Sequence, residues 1–240
     1  DLNIDAKKFK FLHISSCFPR KGIVTLLEAF QKAFTSNDDV SLIIKTFPNI
    51  HNNLDSLLNS FKNNNPFFPD VIVIEDDYVQ SQISSLYRQC DAYVSPSYGE
   101  GFGLPIAEAM LFSIPVITSS WGGQLDFVNS QNAWLVDYEF AYSSTHFELF
   151  DSIWAIPSSN QLAEIMQQLT QAKPENIKAK TELAKNTISE KFLWHEVANK
   201  NKNFVKKLLK FTPQRTSTVG FISTWNSKCG VASYCKSLVK

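Results

Sequence analysis

The sequence has few features of a disulfide-rich, metal-binding or membrane-spanning protein. Its four cysteines form neither a Cys-x-x-Cys pair nor a dense framework, so the pattern does not support a zinc site or a disulfide scaffold. No apolar run approaches the roughly 20 residues that span a bilayer, and no signal peptide opens the chain. The 23 basic and 23 acidic residues give a formal net charge of zero, and no basic stripe recurs at helical spacing. The charge pattern therefore does not indicate a nucleic-acid-binding surface. We therefore expect a soluble, cytoplasmic protein with reduced thiols and no nucleic-acid partner.

Apolar strand-like runs alternate with amphipathic helix-like segments along most of the chain. A strand at residues 9–15 and a helix at 22–34 form the first pair. The pattern continues with strands at 40–45, 71–74, 93–94, 115–118 and 133–136 and helices at 54–61, 81–89, 104–112, 124–128, 161–171 and 174–189. A last helix runs to residue 209 and contains Trp194, which we expect to anchor the core. Such alternation predicts an α/β fold, a Rossmann-like parallel sheet with helices on both faces.

Two glutamates, Glu100 and Glu108, frame a glycine-rich turn between a predicted strand and a predicted helix. Pro105 lies in the first turn of that helix, a position that proline favours. Exposed amides and the positive end of the helix dipole attract phosphate. Glu108 lies about one turn inside the helix, where it can meet a sugar hydroxyl, and Glu100 lies in the loop itself. The pattern predicts binding of a phosphorylated sugar compound.

The motif residues resemble the donor-binding signature of retaining glycosyltransferases of family 4. The matching residues, in the order and spacing of that family, are Ser95-Pro96-Ser97, Glu100-Gly101-Phe102-Gly103-Leu104-Pro105, Glu108-Ala109, Pro115-Val116-Ile117 and Gly122-Gly123. The family has the GT-B fold of two facing Rossmann-like domains, and the resemblance, from about residue 11 to residue 204, covers the C-terminal, donor-binding half. It implies transfer of a sugar from a nucleotide sugar such as GDP-mannose, with retention, in polysaccharide biosynthesis. No metal or other cofactor is expected. The acceptor would be a saccharide or a lipid-linked sugar held by an N-terminal domain that this chain lacks, and peripheral membrane association of the longer protein stays open.

The same resemblance assigns roles to individual residues. Lys21 matches the phosphate-binding lysine that precedes a glycine, and Arg20 is expected to substitute for a family arginine whose position is Ser16 here. Glu100 would contact the transferred sugar, so Glu100, Lys21 and Arg20 form the predicted catalytic set, and Glu108 would bind the ribose. Backbone amides of the donor loop are implied as further ligands, at Gly101, Phe102, Gly103 and Leu104. Ser97, Gly122 and Gly123 either line the pocket or serve as turn residues.

Two other motifs have ordinary structural interpretations. His13 lies in an apolar strand and is expected to be a hydrogen-bonded core histidine. The run Glu75-Asp76-Asp77 lacks the Asp-x-Asp form of metal-using sugar transferases and predicts a solvated turn.

The domain organisation predicted from the sequence has two parts. Residues 1–212 form the donor-binding domain, and 213–240 form a linker followed by the first strand, loop and helix of a further module cut short. The alternative for this tail is an added edge strand. The long segment 137–152 is either an insertion near the site or an irregular cover. A rival function from another class is a nucleotide-sugar-binding module without catalysis; an oxidoreductase is disfavoured because the glycines lack Gly-x-Gly-x-x-Gly spacing.

Overall fold

The computed structural model describes residues 2, 4–144 and 151–209, and the chain divides into two compact units, Asp1–Glu196 and Val197–Lys240. The first unit contains a six-stranded parallel sheet of order β3-β2-β1-β4-β5-β6. The strands are Phe9–Ile14 (β1), Val40–Lys45 (β2), Asp70–Ile74 (β3), Ala92–Ser95 (β4), Val116–Ser119 (β5) and Trp134–Val136 (β6). The predicted α/β, Rossmann-like fold is confirmed.

Helices cover both faces of this sheet because each inner strand is apolar on both sides. Neighbouring β1 residues point to opposite faces, so that Phe11 belongs to one core layer and Leu12 to the other. The first layer takes side chains from α1, α2 and α5, and the second from α3, α4 and α6. These helices are Ile23–Ala33 (α1), Leu54–Asn64 (α2), Gln80–Gln89 (α3), Leu104–Leu111 (α4), Ser159–Gln171 (α5) and Pro174–Lys191 (α6); a last helix, α7, spans Trp194–Leu209.

The strand order reverses direction between β1 and β4. The chain adds β2 and β3 on one side of β1, and then β4, β5 and β6 on the other. In such sheets the loops after the two central strands separate at the carboxyl edge and leave a crevice, where ligands bind. The loops after β1 and β4 are those that carry Lys21 and Glu100.

A hairpin occupies part of the segment for which the sequence predicted an insertion or an irregular cover. Tyr138–Tyr142 (β7) pairs antiparallel with Ile153–Pro157 (β8). The backbone N–H of Ala155 donates to the Tyr98 carbonyl oxygen at 3.1 Å, and the Trp154 ring packs against the Tyr98 ring with centroids 4.9 Å apart. The hairpin therefore attaches directly to the loop after β4.

Two local predictions differ from the structure. The helix expected at 124–128 is a single 3₁₀ turn, Gly123–Asp126, and the Gln124 side chain donates back to the carbonyl oxygens of Ser119 and Trp121. Trp194 is not a core anchor, since it is 65% exposed; the expectation was wrong. Phe192 packs in the core instead, with its ring centroid 5.5 Å from that of Phe127.

Some features of the sequence lie beyond this description. The predicted module at 213–240 falls outside the described residues, and its boundary stays a prediction. Among the helices that are described, none combines the length and the apolar composition that a bilayer crossing requires.

Candidate functional site

The loop after β1 lies against the loop after β4 through backbone contacts. A 3₁₀ turn at Pro19–Lys21 ends at Gly22, which adopts a left-handed φ of 73°. A Cβ at this position would lie 1.9 Å from the carbonyl oxygen of Pro96. The Tyr98 N–H also donates to the Arg20 carbonyl oxygen at 2.8 Å. Glycine is needed here because both its φ and the close backbone approach exclude a side chain.

A second close approach fixes the other side of the same loop. The Gly123 N–H donates to the Glu100 carbonyl oxygen at 2.8 Å, and a Cβ on Gly123 would lie 1.9 Å from the Gly101 carbonyl oxygen. Gly122 has a φ of 125°. The structure thus gives Gly122 and Gly123 the turn role that the sequence left open, while their contact with a ligand stays a prediction.

Glu100 is the centre of a compact ionic network. Its Oε1 accepts hydrogen bonds from Lys21 Nζ and, at 2.9 Å, from Ser97 Oγ. Arg20 Nη1 lies 3.8 Å from Glu100 Oε2 and donates to the Gly99 carbonyl oxygen at 2.9 Å. The Glu100 side chain is 9% exposed, so this carboxylate is held in a largely buried position next to two cations. The three residues predicted as catalytic are therefore adjacent, although 79 residues separate Lys21 from Glu100.

Burial changes the protonation balance of the lysine in this network. Desolvation lowers the pKa of Lys21, and the neighbouring Glu100 carboxylate opposes that shift. The Lys21 ammonium is thus poorly solvated, and an anionic partner favours its charged form. In the structure that partner is Glu100, and a phosphate group would have the same effect.

Helices α1 and α4 both begin at this crevice. Their N-cap residues are Gly22 and Gly103, with left-handed φ values of 73° and 84°. At these two described helix ends no side chain caps the first-turn amides. In the first turn of α4, Pro105 has no N–H and the Ile106 N–H donates to the Gly103 carbonyl oxygen at 2.9 Å. The Leu104 amide of α4, the first-turn amides of α1 and the positive ends of both helix dipoles are therefore the groups that face an anion.

Glu108 lies on α4, one turn beyond Leu104. Its Oε2 accepts a hydrogen bond from the Tyr87 hydroxyl at 2.9 Å. Burial raises the pKa of Glu108, and the hydrogen bond from Tyr87 partly offsets this shift. The carboxylate is thus oriented by a neighbouring helix.

The remaining predicted ligands divide into side chains and backbone groups. The Phe102 ring packs against Phe127 with centroids 4.8 Å apart, and a contact of its backbone with a ligand stays a prediction. Leu104 is 53% exposed at the start of α4. Within the described part of the chain no cluster of three or more histidine, cysteine, aspartate or glutamate side chains has the arrangement of a metal site.

Sequence reasoning missed Gln124, which lies below the donor loop. It is 0% exposed, and its Nε2 donates to the Ser119 and Trp121 carbonyl oxygens at 3.0 and 2.8 Å. Its Oε1 has no hydrogen-bond partner among the described residues. Gln124 therefore holds the turn that carries Gly122 and Gly123, and a glutamine directly after a glycine pair was the only signal for this role.

His13 is the hydrogen-bonded core histidine that the sequence predicts. It is 0% exposed, with Nδ1 2.8 Å from the Val94 carbonyl oxygen and Nε2 2.7 Å from Ser15 Oγ. Because Val94 offers only an acceptor, Nδ1 carries the proton and Ser15 donates to Nε2. The histidine links β1 to β4 directly beneath the crevice.

Comparison with known proteins defines the class to which this fold and site belong. The model of the family described as glycosyl transferases group 1 matches residues 1–141, more than half of the chain. The chain belongs to this family.

Three curated relatives share about 30% identity with parts of the chain. The capsular polysaccharide biosynthesis glycosyltransferase CapM of Staphylococcus aureus is 30% identical over 118 residues, which are 49% of this chain and 30% of CapM. The serotype-specific mannosyltransferase WbdA of Escherichia coli is 31% identical over 107 residues, 45% of this chain and 13% of WbdA. The GtfA subunit of a UDP-N-acetylglucosamine–peptide N-acetylglucosaminyltransferase of Streptococcus pneumoniae is 30% identical over 140 residues, 56% of this chain and 25% of that protein. The chain thus spans less than a third of the length of each.

A solved structure matches the fold over most of its length. The C-terminal domain of LpcC, a glycosyl transferase group 1 family protein from Francisella tularensis, superposes with a TM-score of 0.60 at 21% identity, covering 78% of this chain and 87% of that domain. The architecture is therefore that of the C-terminal domain of a glycosyl transferase group 1 family protein.

Proposed function

We propose that this chain binds the nucleotide-sugar donor of a retaining glycosyltransferase in polysaccharide biosynthesis, with GDP-mannose as the donor. The observation that carries the proposal is the meeting of Lys21, Arg20 and Glu100 at the switch point of the sheet, beside two helix N-termini without side-chain caps. A diphosphate needs cations and amides around it, and a sugar needs a fixed carboxylate to bind its hydroxyls. This site contains both.

The proposed reaction gives each group a separate task. The bond between the anomeric carbon and the phosphate oxygen breaks while the acceptor oxygen bonds to the same face of the sugar. The acceptor proton passes to the departing diphosphate. Lys21 and Arg20 stabilise the negative charge that develops on that diphosphate, and Glu100 orients the sugar. The acceptor would be held by a facing N-terminal domain.

The choice of mannose rests on the similarity to WbdA, which is named a mannosyltransferase. The GtfA relative is named for a UDP sugar and covers more of this chain, so UDP-N-acetylglucosamine is the competing donor. Calorimetric titration of the 240-residue chain with GDP-mannose, UDP-N-acetylglucosamine and UDP-glucose tests this choice. We expect GDP-mannose to bind most tightly, and tighter binding of either UDP sugar would overturn the mannose assignment while leaving the donor site intact.

The residue assignments are tested in the same titration with two variants. Lys21→Ala and Glu108→Ala should each weaken binding by about tenfold or more, because each removes a charged hydrogen-bond partner. Lys32→Ala is a matched control, since Lys32 lies at the far end of α1 and bonds to Ser159 and Asn160. No binding of any nucleotide sugar by the unaltered chain would refute the donor-site proposal.

If the chain is a non-catalytic binding module, the competing hypothesis, the calorimetric titrations should give the same results. The two functions differ in a transfer assay of the longer protein that includes the facing domain, with mannose transfer to a saccharide or lipid-linked acceptor as the readout. Glu100→Gln should abolish transfer and leave GDP binding within about twofold. Absence of transfer in the unaltered longer protein would favour the binding module.

A further inference from the structure

We infer that Tyr87 is a positioning residue that fixes the Glu108 carboxylate for the two ribose hydroxyls of the nucleotide. The inference rests on the proposed function, because it requires a nucleotide at this site. It is based on a contact between helices α3 and α4 that no sequence motif predicts.

Tyr87 is held rigidly in the core. Its side chain is 0% exposed, its ring stacks on Phe112 with centroids 5.2 Å apart and an interplanar angle of 15°, and its other neighbour is Tyr93 at 6.1 Å. The position of the hydroxyl is therefore set by packing and not by the ligand. A donor fixed in this way orients its acceptor without further loss of freedom on binding.

The hydroxyl proton has two acceptors within reach. Glu108 Oε2 lies at 2.9 Å and the Pro105 carbonyl oxygen at 3.2 Å. The carboxylate is nearer and carries charge, so it receives the stronger bond. Pro105 lies in the first turn of α4, and the same hydroxyl thus ties both the start of the helix and its glutamate to α3.

The Tyr87 hydrogen bond occupies only part of the accepting capacity of Glu108. Among the described residues, Tyr87 supplies the side-chain hydrogen bond to this carboxylate, and it uses Oε2. Oε1 and the remaining lone pair of Oε2 can still accept hydrogen bonds from two neighbouring hydroxyls. Tyr87 therefore selects which edge of the carboxylate faces the nucleotide.

The contact also bears on protonation. Within the described residues, the titratable groups that interact with Glu108 are Tyr87 from α3 and Tyr93 from β4. Burial raises the pKa of Glu108 and the Tyr87 hydrogen bond lowers it, so removal of the hydroxyl raises this pKa further. Ribose binding needs the ionised carboxylate. In a Tyr87→Phe variant, the affinity should therefore begin to fall at a higher pH as the solution is acidified.

The test compares ribonucleotides with nucleotides that lack both hydroxyls. The unaltered 240-residue chain is titrated calorimetrically with GDP, UDP and ADP, and the tightest of the three is compared with its 2′,3′-dideoxy form. Tyr87→Phe should weaken the ribonucleotide about tenfold and the dideoxynucleotide by less than about twofold. The weakening of the ribonucleotide should grow as the pH falls.

A matched variant separates positioning from general destabilisation. Thr181→Val removes another buried hydroxyl, which donates to the Lys178 carbonyl oxygen on α6 at 3.1 Å, and should leave the ribonucleotide affinity unchanged. Equal losses for the ribo and dideoxy forms in Tyr87→Phe, or no loss at all, would overturn the inference while the donor site stands. If the unaltered chain binds none of the three nucleotides, the proposed function fails and this inference fails with it.

Discussion

Acid should destabilise this fold through His13, the buried histidine that joins the two central strands. His13 is 0% exposed between β1 and β4, and burial lowers its pKa from 6.5 to about 4. The native state therefore keeps the imidazole neutral, whereas the unfolded chain takes up a proton below its ordinary pKa. Stability from this residue is fully present at neutral pH and is lost as the pH falls from about 6.5 towards about 4.

The magnitude follows from the size of this shift. Each pKa unit corresponds to about 1.4 kcal/mol, so the difference between 6.5 and about 4 gives a loss of about 3 kcal/mol between neutral pH and pH 4. The assay is urea unfolding of the chain across this range, in parallel with His13→Asn, whose amide can still donate to the Val94 carbonyl oxygen. The carboxylates titrate in both proteins, so their effects cancel in the difference between the two free energies of unfolding.

The expected result is that the stability advantage of the unaltered protein over the variant shrinks by about 3 kcal/mol on acidification. Two free energies of unfolding that fall in parallel would show that His13 takes up its proton equally in the folded and unfolded states. That result would refute the account of a neutral histidine linking the two central strands.

Two further predictions concern the donor loop. Gly123→Ala should lower the melting temperature by about 5 °C, because the new Cβ would lie 1.9 Å from the Gly101 carbonyl oxygen. Gly99→Ala is the control and should change the melting temperature by less than about 1 °C, because no atom lies within 4 Å of its Cβ position. Equal shifts in the two variants would contradict the close approach. Ser97→Ala removes the 2.9 Å hydrogen bond to Glu100. Calorimetry should show nucleotide-sugar binding weakened by about fivefold and nucleoside diphosphate binding unchanged. An equal loss of affinity for both ligands would contradict a role of Ser97 in orienting the sugar.

The sheet and its helices were predictable because buried parallel strands appear as short apolar runs. The β2 sequence from Val40 to Lys45 is buried along its whole length, and a strand of this kind carries its signal in its own residues. The start of α4 was predictable for a similar reason, since Gly103, with its left-handed φ of 84°, and the proline that follows in the first turn are local requirements of the backbone. What a residue requires of its own φ and ψ can be recognised from the sequence.

Contacts between distant elements were not predictable in this way. Tyr87 and Glu108 each fit an ordinary helix, and only the packing of α3 on α4 joins them. The hairpin was missed because β7 and β8 are separated by a long connection and lack the short turn that marks a hairpin. Trp194 fits an amphipathic pattern, but the pattern does not specify whether an apolar surface receives it, and the residue is 65% exposed.

The two backbone approaches at Gly22 and Gly123 restrict how related enzymes can diversify. At both positions a single methyl group would overlap a carbonyl oxygen of the loop after β4, so substitution there damages the loop itself. The β7–β8 hairpin joins the same loop at Tyr98, and neither close approach constrains its residues. Libraries built around this loop should therefore vary the hairpin and leave the two glycines untouched.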